Sequence, residues 1–176
     1  MNNEIVWRDD DVHYLTDLKQ FEKIHEVFKK HNVKHTIAVI AKDLDKNTEL
    51  IEYINSNENI DVQLHCWNHI SAIKNIDSLE RELVLGIDKI KELFGKKPTI
   101  LYPPWNETND VVSYIAKKVG LKVSNLKVSM SHFVKCNGVI DIENCNTINF
   151  HYWSGGDTMF LNYALELYMN REIKCI

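Results

Sequence analysis

The sequence has no run approaching the ~20 apolar residues that a membrane span requires. Its first residues, MNNEIVWRDDD, carry no basic region followed by an apolar stretch of the kind that directs export. Both absences lead to the expectation of a cytoplasmic chain with no membrane span. There is no Cys-x-x-Cys pair either: Cys66, Cys136, Cys145 and Cys175 are too few and too scattered for a disulfide scaffold, so reduced thiols are expected. Basic residues form no stripe. The formal net charge is -4, with lysines interspersed among Glu and Asp, which argues against nucleic acid as a partner. No internal repeat, low-complexity tract or linker interrupts the chain, and 176 residues at 44% hydrophobic suffice for one domain, 1–176, with a sizeable core.

What is present is an alternation of short apolar runs and amphipathic stretches. EIVW reads as a strand, and Leu18, Phe21, Ile24, His25 and Phe28 then recur at helical spacing. HTIAVIA reads as a buried strand, TELIEYINS as a short helix and IDVQL as a third strand. A long helix is expected from an N-cap at Ser78 to Gly95, with Leu79, Leu83, Ile87, Ile90 and Phe94 on one face. PTILY, a helix from about Asn109 to Lys118, LKVSN, GVIDI, TINF and a final helix TMFLNYALELYM complete the series. Strands alternating with helices imply crossover connections and a parallel sheet, open or closed into a barrel.

Four polar or aromatic clusters fall just past expected strand ends: Asp9 to Asp11, HCWNH (His65 to His69), YPPWN (Tyr102 to Asn106) and HYW (His151 to Trp153). In parallel α/β folds that edge is where ligands bind. Three adjacent carboxylates repel one another and disfavour both strand and helix, so a cation is the natural compensation. Were the strand to continue, His65 and His69 would lie ~13 Å apart, whereas one helical turn brings such positions to roughly 6 Å. The chain is therefore expected to turn straight after Leu64. Two imidazoles need an anion to complete a metal site, and a carboxylate among Asp9 to Asp11 is the candidate. All four tryptophans, Trp7, Trp67, Trp105 and Trp153, lie in or beside these clusters, which suits stacking against sugar rings. His13, His25, His31, His35 and His132 are read as non-functional.

In that order, WRDDDV, HCWNH, YPPWN and NFH resemble the motifs of the NodB-homology polysaccharide deacetylases, carbohydrate esterase family 4. The resemblance implies a distorted (β/α) barrel of about seven parallel strands, a divalent metal, and removal of N-acetyl groups from an amino sugar in a polysaccharide, oligosaccharide or sugar intermediate. Carried over by position, it makes Asp10 the general base, Asp11, His65 and His69 the metal ligands, and His151 the acid that protonates the leaving amine. The third motif aligns with Tyr102 to Asn106, retaining Pro104 and Trp105 with the Trp105 N–H facing the oxyanion, and Tyr102 and Trp153 are placed with them as substrate contacts. A register shifted by one would pair Asp9 with Asp10 instead. Asp9 and Arg8 are otherwise placed around the site.

The departures are specific. Cys66 replaces a hydroxyl residue, as a packing residue or a soft ligand. Tyr102 stands where the family has the arginine that holds the catalytic Asp, and Arg8 is the nearest substitute in the sequence. Asn106 replaces a glycine, Asn149 a leucine, and the motif whose Asp pairs with the catalytic His is not found. Zn is favoured by ligand type, with Co, Ni or Mn as alternatives. Rival readings are a cytosolic hydrolase of a small amide or cyclic ureide, and an inactive homologue that binds metal or carbohydrate. A non-haem Fe(II) oxygenase shares the ligand set but prefers antiparallel β architectures. Oligomeric state is not encoded in these patterns.

Overall fold

The computed structural model describes residues 5–124, 128–135 and 147–170. Among these residues seven strands form one parallel sheet in the order β5-β4-β3-β2-β1-β7-β6, with helices along the connections, which is the expected distorted (β/α) barrel architecture. The elements are β1 (Val6–Val12), α1 (Leu18–His31), β2 (His35–Ile40), α2 (Thr48–Asn55), β3 (Ile60–Cys66), α3 (Ile76–Phe94), β4 (Ile100–Leu101), α4 (Asp110–Lys118), β5 (Lys122–Val123), β6 (Val128–Ser129), α5 (Met130–Lys135), β7 (Thr147–Phe150) and α6 (Gly155–Met169). Among the described residues no helix is long and apolar enough to cross a membrane. The chain forms two compact units, a larger one of 11–16 and 37–125 and a smaller one of 1–10, 17–36 and 126–176.

In the larger unit, Ile37, Ala38 and Val39 of β2 are fully buried, as a strand covered on both faces must be. Helix α3 buries Leu79, Leu83, Ile87, Ile90 and Phe94, the stripe its sequence spacing predicts. It begins at Ile76 after Asn75, so Ser78 is not its N-cap; the Ser78 hydroxyl instead donates within the first turns, to Asn75 Oδ1 at 2.7 Å and Glu82 Oε1 at 3.0 Å. The helix ends at Gly95, whose φ of 68° suits a residue without Cβ. A Cβ at Gly86 would meet Leu64 Cδ1 at 2.7 Å, so glycine there lets α3 lie close on β3. Strand β4 is shorter than the PTILY run suggested. The Gln63 side chain explains this: its Oε1 accepts from both Thr99 N and Ile100 N at 2.9 Å, taking N–H groups that a longer ladder would have used.

Strand β1, whose residues up to Asp10 belong to the smaller unit, does not stop at Trp7 but runs on through the three aspartates to Val12. Repulsion fails to break the strand because successive side chains leave a strand on opposite faces, and each carboxylate finds its own partners. Strand β7 pairs with β1 in the register Trp7↔Ile148, Arg8↔Asn149, Asp9↔Phe150. Helix α1 is capped by Asp17, which accepts from Gln20 N at 2.8 Å, and closed by Asn32 in the left-handed conformation. Strand β6 and helix α5 fall between the LKVSN and GVIDI runs, where no element was expected, and GVIDI lies outside the described residues. Helix α6 starts at Gly155, ahead of the expected Thr158, because the Ser154 hydroxyl accepts from Asp157 N. Trp7 is core: it is fully buried, edge-on to Phe133 and Tyr168 with ring centroids 5.7 and 5.8 Å away.

Candidate metal centre

In the larger unit, Asp11, His65 and His69 converge, with one ligand atom from each lying within 4.8 Å of the others. Asp11 Oδ1 is 3.3 Å from His65 Nε2 and 3.1 Å from His69 Nε2. Asp11 has a φ of 65°, a left-handed conformation that Asp tolerates better than most residues and that takes the chain out of the regular pleat. The chain does not turn after Leu64 as expected. Strand β3 continues through His65 to Cys66, and the bend that follows still brings the two imidazoles to a centroid distance of 5.2 Å.

The protonation pattern at His65 bears on what this group can hold. His65 Nδ1 lies 2.6 Å from the Tyr102 carbonyl oxygen, so Nδ1 carries the proton and donates to it. With Nδ1 so engaged, Nε2 is the ring nitrogen that faces the Asp11 carboxylate and would be the one to ligate a cation. Two imidazole nitrogens and one carboxylate oxygen are a donor set of the Zn type, with coordination positions left open. Burial disfavours the charged form of Asp11, but its contacts with His65 and His69 outweigh that and hold the carboxyl far below the usual range. Cys66 is buried and lies outside this group, lining a cavity with Leu79, Leu83, Leu101 and Pro104.

Beside His69 stands Trp105, 59% exposed, with its ring 4.6 Å from the imidazole. It sits in a single 3-10 turn, Pro104–Asn106, in which Trp105 and Asn106 both take left-handed φ, 55° and 57°. Pro104 and Tyr102 are buried, so Tyr102 contributes its backbone carbonyl rather than an exposed ring. His13 lies close to Asp11, and burial lowers its pKa against the pull of that carboxylate.

The smaller unit holds the other expected residues. Asp10 Oδ2 accepts from Arg8 Nη2 and from Asn149 Nδ2, each at 2.7 Å, and all three residues are buried. Asp9 is buried elsewhere: Oδ1 accepts from Tyr152 N at 2.8 Å and Oδ2 lies 3.4 Å from His35 Nε2. His35 in turn faces His25, Nδ1 to Nδ1 at 3.2 Å, and stacks on Phe28 at 4.3 Å. His151 is half-buried, with Nδ1 3.4 Å from Asp157 Oδ2, and its backbone N–H donates to the same oxygen at 3.2 Å. Trp153, 52% exposed, lies 4.8 Å from the His151 ring. Asp157 was missed in the sequence. Its signal was Ser154-x-x-Asp157, a helix-start pattern directly after the HYW cluster.

The family described as Polysaccharide deacetylase matches residues 9–124. The chain belongs to the polysaccharide deacetylase family. A curated relative, a peptidoglycan-N-acetylglucosamine deacetylase of Bacillus cereus, is 27% identical over 92 residues, 52% of this chain and 33% of that protein, so the match spans about a third of the relative. Among solved structures, a family 4 carbohydrate esterase from Streptomyces lividans in complex with acetate superposes with a TM-score of 0.78 at 15% identity, covering 99% of this chain and 92% of that one. A family 4 pseudoenzyme from Bacillus anthracis superposes with a TM-score of 0.70 at 17% identity, covering 98% and 63%. At such identities these two likenesses show the polysaccharide deacetylase fold alone.

Proposed function

We propose that this polysaccharide deacetylase family member is a metal-dependent hydrolase that removes N-acetyl groups from an amino-sugar substrate. The observation that carries the reading is the convergence of Asp11, His65 and His69 around a histidine whose tautomer is fixed by the Tyr102 carbonyl. Asp11, His65 and His69 would hold a divalent ion, Zn by donor type, with Co, Ni or Mn as alternatives. Such an ion supplies Lewis acidity toward the acetamide carbonyl and lowers the pKa of water.

The remaining chemistry falls to the chain's own groups. Asp10 takes the proton of the attacking water. The Trp105 backbone N–H donates to the developing oxyanion. His151, oriented through Nδ1 by Asp157, gives a proton from Nε2 to the leaving amine, which departs poorly unless protonated. The exposed indoles of Trp105 and Trp153 offer apolar faces to sugar rings.

A second reading, an inactive homologue that binds metal or carbohydrate, is favoured by two observations: structures of similar fold include a pseudoenzyme, and this chain lacks the family arginine at Tyr102. The deciding experiment measures metal content of the purified protein and acetate release from N-acetylglucosamine oligomers before and after chelation. Near-stoichiometric metal with chelator-sensitive acetate release supports the deacetylase. Metal without acetate release, with no small amide hydrolysed either, favours the inactive binder.

A further inference from the structure

Arg8 and Asp10 are two residues apart on β1 and so leave the same face of the strand. Asn149 is the registered partner of Arg8 on β7 and points to that face as well. Arg8 Nη2 and Asn149 Nδ2 both reach one oxygen of Asp10, Oδ2, at 2.7 Å, while Oδ1, itself buried, accepts no hydrogen bond among the described residues. Arg8 is 0% exposed and Asn149 3%. Burying a guanidinium and a carboxylate is costly, and an apolar pair of similar volume would serve stability as well or better. Packing stability alone therefore does not account for this pair, which lies one residue from Asp11.

We propose that Arg8 and Asn149 are positioning residues that clamp Asp10 Oδ2 and so present Oδ1 as the single proton-accepting oxygen. Resting on the deacetylase reading, this makes two departures from the family pattern, at Tyr102 and Asn149, one compensated set. The guanidinium absent at Tyr102 is supplied by Arg8 from β1, and the Asn at 149 adds the second donor. The losses at these positions are then no sign of a decayed site.

The test uses the full, metal-loaded chain and has two arms. The first is a thermal double-mutant cycle of Arg8→Met, Asp10→Leu and the double variant. Breaking the buried pair from one side lowers Tm by roughly 10 °C, and the double variant loses less than half of that. Additive losses overturn the clamp. Should Arg8→Met fail to fold, the same cycle is run with Asn149→Leu in its place.

The second arm is kinetic. Asn149→Leu lowers kcat by about 10- to 100-fold with KM within about twofold, since misplacement of a catalytic group acts on the reacting geometry. Arg8→Lys keeps the charge and retains more kcat than Arg8→Met, while Zn affinity is unchanged in Asn149→Leu. Full kcat in Asn149→Leu overturns the proposal. Should the wild-type chain release no acetate, the deacetylase reading falls, and the thermal cycle alone decides the clamp: coupling supports it and additivity overturns it.

Discussion

Asp10 and Asp11 are adjacent in the chain yet belong to regions of opposite character. In the larger unit, Asp11 and His69 keep side-chain exposures of 22% and 36%, and the Asp11 carboxylate meets the imidazoles of His65 and His69. In the smaller unit, Asp10 is 5% exposed and ion-paired to an Arg8 that is 0% exposed. Asp9, one residue further back, is sealed against Tyr152 N and His35. One run of like charge is thus divided among three environments. An open pair of imidazoles suits a cation that must exchange water and substrate, whereas an enclosed, charge-compensated carboxylate suits a group that must keep one orientation.

The sharpest way to break this comparison is at the proposed metal site. Asp11→Asn is expected to weaken Zn binding by more than about 100-fold, beyond the range for losing an outer partner, whereas Asp10→Asn leaves it within about threefold. Calorimetric titration of the two variants measures this, and equal losses would erase the distinction between the regions. Asp9→Ala removes a buried acceptor of the Tyr152 N–H, at a cost of about 1–3 kcal/mol, or roughly 3–10 °C in Tm, with Zn affinity unchanged. A differential scanning measurement beside the same titration checks both halves of that statement.

The sealed region also has a pH signature. Burial, reinforced by the neighbouring His25, holds His35 well below its ordinary value of 6.5, so the folded protein keeps it neutral. Above pH 6.5 neither state is protonated and this contribution to stability is complete. Below it, the unfolded chain binds a proton that the folded one refuses, and stability falls by up to ~1.4 kcal/mol per pH unit until the folded value is reached. Urea denaturation at pH 7.5, 6.0 and 5.0 reads the slope, and His35→Phe, which fits between Phe28 and Phe150, should flatten it. The smallest expected effect lies in the open region. Asn106 at φ 57° occupies a glycine-like position, so Asn106→Ala costs about 1 kcal/mol while Asn106→Gly is close to neutral in chemical denaturation.

Helix α3 was legible in advance because its signals are local: a 3.6-residue stripe of Leu79, Leu83, Ile87, Ile90 and Phe94, and a glycine at its end. The residues grouped as the candidate metal centre were legible as well, since Asp11, His65 and His69 carry their chemistry in residue type and spacing. Strand β4 was overestimated because a side chain 37 positions away, Gln63, takes the N–H of Ile100. The end of β1 was underestimated because repulsion among Asp9, Asp10 and Asp11 is resolved only by partners that local sequence does not display.

By itself, then, the sequence determined the alternation of strands and helices, the family, and which residue types are gathered at strand ends, because periodicity and motif spacing are properties of short segments. Tertiary structure decided which aspartate meets which partner. Arg8 and Asn149 reach Asp10 through parallel strands whose residues are 141 positions apart in register, Arg8↔Asn149, and Asp157 reaches His151 by the placement of a helix start. Such pairings depend on pleat and register, which hydrogen bonding between distant segments sets and no local pattern records.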